Sequence, residues 1–140
     1  MKSIAIAVSG FLLTLYLNAQ VVELDVSNIE YKKGGYLVIG IWDNPATYLE
    51  QEKSLKDMAI EVKASTMKIL INDLQPGKYA IIAYHDINGN DELEQNWIGI
   101  PKEPIGFAND QKIGLGPPSF EKVATTIAQN STTNLKIRLD

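Results

Sequence analysis

Residues 79–109 read YAIIAYHDINGNDELEQNWIGIPKEPIGFAN, an apolar run that opens into a long punctuated loop. The run Tyr79–Tyr84 has the length and composition of a buried strand. The stretch beyond it holds the only histidine and one of the two tryptophans. Loops this long are uncommon in compact domains and are usually functional or disordered. Its aromatics and its fixed Gly and Pro positions argue against disorder.

Upstream, Asn72–Lys78 (NDLQPGK) reads as a turn, with Pro76 and Gly77 in the order of a type II turn, whose third residue needs a positive φ. Val22, Leu24 and Val26 alternate with Glu23, Asp25 and Ser27, a half-buried strand. Tyr36–Trp42 is a second strand, expected to pair with the first as a hairpin or to face it across a sandwich. Asp43-Asn44-Pro45 ends it, because proline removes a ladder donor and restricts its predecessor. A short helix is expected around Tyr48–Lys53. Met58–Lys63 and Thr66–Ile71 are strands separated only by Ala64-Ser65, a spacing that predicts a hairpin. Downstream, Gly114–Pro118 has no regular structure, and Val123–Ile127 and Thr133–Leu139 form the last two strands.

About seven short strands at 8–12-residue spacing, without sustained helical periodicity, predict one all-β sandwich over residues 20–140. Residues 1–19 fit a signal peptide: a positive start at Lys2, an apolar stretch from Ile4 to Leu17, and Ala19 before a cut at Gln20. The apolar stretch is short for a membrane span. The protein is therefore expected to be exported to the periplasm or the medium, with no transmembrane segment after cleavage. There is no cysteine, so a disulfide framework, a thiolate metal site and a lipidated cysteine are excluded. The formal charge is −4, and the basic residues are scattered, which is not the footprint of nucleic-acid binding.

Asp86, Asn88 and Asn90 place oxygens at alternate positions, with the Glu92 carbonyl and Glu94 continuing the spacing of a calcium loop. Ca²⁺ takes six to eight oxygen ligands, and a chain wrapping round it presents them two residues apart. Asp91 stands where such loops carry glycine, with Gly89 two residues earlier, and Trp97 stands where they carry a bidentate Glu. The same residues also suit a turn whose Asp and Asn cap their own backbone. His85 lacks the partner ligands of a zinc site.

Ile98–Phe107 is expected to lie over the sandwich, with Ile98, Ile100, Ile105 and Phe107 packed down and Lys102 and Glu103 outward. Tyr84, Trp97 and Phe107 are candidate contacts for a glycan or peptide, and His85 and Glu103 complete the candidate ligand-binding set. No nucleophile elbow, phosphate loop or HExxH is present, which favours a non-enzymatic module. The alternative is a hydrolase centred on His85, Asp86 and Glu103.

These residues carry a resemblance. The pattern Leu74-x-Pro76-Gly77-x-Tyr79-Ala80, then His85-Asp86-x-Asn88-x-Asn90, Gly99-x-Pro101-x-Glu103, Gly106-Phe107-x-Asn109 and Pro117-Pro118-x-Phe120, resembles the exported bacterial family named domain of unknown function 2141. The resemblance implies an immunoglobulin-like or transthyretin-like sandwich behind a signal peptide. Members often carry Gly where Asp91 stands and Asp where Glu94 stands. No activity comes with the family. The working expectation is an exported binding module, its partner a glycan, a peptide or an envelope protein.

Overall fold

The computed structural model describes residues 20–96 and 98–140; the expected signal peptide lies outside them. β1 (Val21–Ser27) is the centre of a three-stranded sheet, antiparallel to β4 (Thr66–Ile71) and parallel to β8 (Thr132–Arg138). In the second sheet, β2 (Tyr36–Trp42) lies between β3 (Lys56–Glu61) and the ten-residue β5 (Gly77–Asp86). The far edge of β5 pairs in succession with β7 (Thr125–Ile127) at its start and β6 (Ile105–Phe107) further along. A single helical turn, α1 (Phe120–Val123), precedes β7. The all-β sandwich expected from strand spacing is the architecture found.

The burial pattern explains the two kinds of strand sequence. β1 buries Val22, Leu24 and Val26 and turns Glu23 and Asp25 towards solvent, because one face of its sheet is wet. In β2 and β5, Leu37–Trp42 and Tyr79–Asp86 are all buried. Both faces of that sheet are covered, and the strands read as continuous apolar runs. Register assigns the faces: Leu37 opposes His85, Ile39 opposes Ala83 and Ile41 opposes Ile81 on the inner side. Tyr36/Asp86, Val38/Tyr84 and Gly40/Ile82 share the outer side. Each fully buried Leu or Ile contributes about 1.5–3 kcal/mol relative to exposure. Leu24→Ala, at 0% exposure, is expected to cost about 2–5 kcal/mol.

Of the two arrangements expected for β1 and β2, a hairpin or opposite sheets of a sandwich, the second is found. Other local expectations are corrected. β3 pairs with β2 and β4 with β1, so Ala64-Ser65 crosses between the sheets instead of closing a hairpin. The crossing is held where Ile29 donates to the Ser65 carbonyl and Val62 to that of Gly35. Gly77 is not left-handed but opens β5, and the positive φ before it (73°) belongs to Asp73. The helix expected near Tyr48–Lys53 is one 3-10 turn, Gln51–Lys53. The start of the predicted Val123–Ile127 strand belongs to α1 and the step after it.

β6 is a strand that alternation does not reveal, since it is three residues long with glycine at its centre. That glycine is required by a close approach. A Cβ on Gly106 would lie 2.4 Å from the Arg138 carbonyl oxygen and 2.4 Å from Ile137 Cγ2. Ile105 and Asp140 also exchange backbone hydrogen bonds, closing this edge of the sandwich. Among the described residues no helix is long and apolar enough to cross a membrane.

Candidate functional site: the 86–94 turn and an apolar groove

β5 delivers His85 and Asp86 to opposite faces of one sheet, so neighbours in sequence have separate surroundings. His85 is fully buried on the inner face, opposite Leu37, with Nε2 2.7 Å from the Gly34 carbonyl oxygen and Nδ1 without a partner among the described residues. No substrate reaches it there. The geometry does not fit the hydrolase centred on His85, Asp86 and Glu103, and His85 has no exposed edge for ligand binding.

Asp86, 1% exposed, closes the turn that follows. Its Oδ1 accepts the amides of Gly89 (2.8 Å) and Asn90 (3.2 Å), and its Oδ2 that of Asp91 (2.8 Å). Gly89 and Asp91 both take left-handed φ, 72° and 60°, so the unusual backbone angle is needed twice. Asn88 and Asn90 cap the amides two residues on, and their side-chain NH₂ groups donate to the Glu94 carboxylate at 3.2 and 3.4 Å. The Asn90 cap is the backbone amide of Glu92. The turn thus brings Asp86, Asn88, Asn90, Glu92 and Glu94 together, with most of these oxygens engaged in its own closure. Among the described residues no group of three or more His, Asp or Glu is arranged to hold a metal ion.

Glu103 is a second correction. It is 7% exposed, its Oε1 accepts the Ile87 amide at 3.1 Å, and its Oε2 has no partner among the described residues. Burial raises its pKa first, and the nearby Asp86 carboxylate adds to the rise, while the Ile87 amide opposes it. Tyr84 and Phe107 are also buried, at 6% and 2%, and are not open to a glycan or peptide. Burial, with Asp91 next, pushes the Tyr84 phenol up to about 12. Its oxygen lies 3.3 Å from Gln51 Nε2, which also donates to the Asp91 carbonyl at 2.7 Å. Gln51 thereby ties the 43–55 segment to the turn across the outer face. Trp97, the third candidate ring, lies outside the described residues.

The 98–107 segment packs down only in its second half. Ile105 and Phe107 are buried, whereas Ile98 and Ile100 are 57% and 51% exposed. These two border a groove of about 530 Å³ that also takes in Leu49, Leu93, Ile113 and Leu115. Of the nine exposed large hydrophobics among the described residues, five are on this groove: Leu49, Ile98, Ile100, Ile113 and Leu115. Its floor is Ile105 and Phe107, and Gln95 is the polar side chain on its wall. The volume lies in the range of ordinary small-molecule pockets.

The legible signal for the groove is a repeated motif. Ile98-Gly99-Ile100-Pro101 and Ile113-Gly114-Leu115-Gly116-Pro117 both alternate aliphatic residues with glycine ahead of a proline. Neither belongs to a strand, and both supply groove walls.

With that geometry in place, the comparisons assign the class. Residues 24–135 match the family described as "Uncharacterized protein conserved in bacteria (DUF2141)", and the chain belongs to that family. No curated protein and no solved structure matches the chain.

Proposed function

We propose that this chain is an exported, non-enzymatic binding module whose 530 Å³ groove takes an apolar ligand. One observation carries it: the exposed aliphatic side chains are concentrated on a single concave surface. Isolated surface hydrophobics need no explanation, but a contiguous patch around a cavity marks a site of interaction. Among the described residues that line it, the groove offers no nucleophile, histidine or paired carboxylates, which suits binding and not turnover. Each methylene moved from water into it contributes about 0.8 kcal/mol. A six-carbon segment therefore supplies about 5 kcal/mol before the cost of immobilisation is subtracted. Export rests on the N-terminal pattern of residues 1–19. Titration with the neutral fluorescent probe N-phenyl-1-naphthylamine tests the proposal. One saturable site supports it, and no enhancement removes it.

A second reading places Ca²⁺ at the 86–94 turn, and the convergence of Asn88 and Asn90 on the Glu94 carboxylate favours it. Binding would require the two amides to turn their oxygens inward, so affinity belongs at the weak, extracellular end, about 10⁻⁴–10⁻³ M. Isothermal titration with millimolar CaCl₂ decides: a 1:1 heat supports the site, and a flat trace excludes it.

A further inference from the structure

The groove does not end in apolar surface. Ile105 and Phe107, on its floor, also border a depression of about 280 Å³ that reaches Lys112 and Asp140. Lys112 and Asp140 in turn border a third depression, about 310 Å³, with Lys136 and Arg138 on its wall. The three adjoin in succession through these shared lining residues, aliphatic at one end and cationic at the other. In a chain of net charge −4, its polar end gathers three cations against two acids, Asp110 and Asp140. Asp140 is shared between Lys112 (3.4 Å) and Arg138 (3.3 Å). Lys136 makes no ion pair among the described residues. The acid along the passage, Glu103, is withdrawn at 7% exposure, with one oxygen on the Ile87 amide.

Resting on the groove reading above, we propose that the ligand is an anionic amphiphile, its aliphatic chain in the groove and its carboxylate or phosphate head at Lys112, Lys136 and Arg138. Chain and head are recognised by different physics. The groove takes any alkyl chain without discrimination, because apolar burial is non-directional. The cations add preference for a negative head through charge-assisted hydrogen bonds, and Arg138 offers two parallel donors to a carboxylate or phosphate. These cations are solvent-exposed, so the preference is modest and weakens with salt.

The test is displacement of bound N-phenyl-1-naphthylamine by decanoate, decyl phosphate and decanol, three ligands with one chain and different heads. Both anions are expected to displace the probe at about fivefold lower concentration than decanol, as exposed ion pairs of up to about 1 kcal/mol allow. Decanoate ahead of decyl phosphate supports a fatty-acid ligand, and the reverse order a phosphorylated lipid. Lys112→Gln with Lys136→Gln reduces the preference to what Arg138 alone supplies and leaves decanol unchanged. Both side chains are exposed, so the double variant folds as the parent does. Equal displacement by all three, or decanol ahead, overturns the anionic head while the groove stands. Failure of the probe itself to bind overturns both.

Discussion

Oδ2 of Asp86 accepts the backbone amide of Asp91 at 2.8 Å, and Asp91 holds a left-handed φ of 60° where it does so. One buried carboxylate at the end of β5 thereby organises five residues of turn. Its other oxygen takes Gly89 and Asn90. The turn in turn anchors Gln51, and through it the segment covering the outer face of the sheet.

Asp86→Ala is therefore expected to destabilise the fold by about 3–5 kcal/mol, since hydrogen bonds to a charged group contribute about 1.5–3 kcal/mol each and are not additive. Asp86→Asn keeps one acceptor and loses roughly half as much. Urea denaturation midpoints measure both. A shift under about 1 kcal/mol for the alanine variant contradicts the role given to this carboxylate.

Gly106→Ala places a methyl against the Arg138 carbonyl and Ile137, both at 2.4 Å. Overpacking of this kind costs about 1–3 kcal/mol. Gly114→Ala, with nothing within 4 Å, is the control and is expected to leave the melting temperature nearly unchanged. Equal effects from the two variants would show that β6 is not pressed against β8.

Glu103 gives a pH dependence with a definite sign. Its folded pKa lies above the ordinary 4.5, mainly from burial, so the folded chain binds this proton more tightly than the unfolded chain. Its contribution is most favourable below the unfolded value and is lost as pH rises through the raised folded value. Glu103→Gln keeps an oxygen for the Ile87 amide and cannot ionise. The variant should therefore show a flatter stability profile from pH 4.5 upward than the parent, read by thermal melts. Parallel profiles for parent and variant would mean that the carboxyl is not buried as described.

Much of the sandwich is legible in the amino-acid sequence, and the parts that are not share a cause. Val22, Leu24 and Val26 alternate because one face of their sheet is wet, while Tyr79–Tyr84 runs apolar because both faces of its sheet are covered. Burial acts locally, so periodicity records it. Pairing does not act locally. Nothing in Val21–Ser27 states that β8 lies parallel beside it, and the short connection between β3 and β4 suits a hairpin as well as the crossing that forms. His85 and Asp86 illustrate the same limit at the site. Adjacent in sequence and both polar, they invite one shared role, yet a strand sends them to opposite faces. Ile98 and Ile100 fail as core residues because they precede the turn into β6, where no sheet fixes which way a side chain points.

The central claim is that the groove binds an apolar ligand, and paired charge substitutions test it most directly. Ile100→Glu puts a carboxylate on the groove wall, while Leu70→Glu puts one on the wet face of the other sheet; both parent side chains are about half exposed. N-phenyl-1-naphthylamine affinity should fall at least tenfold in the first, about 1.4 kcal/mol, and stay at the parental value in the second. Equal affinities in parent, Ile100→Glu and Leu70→Glu would contradict the assignment of the groove as the binding site.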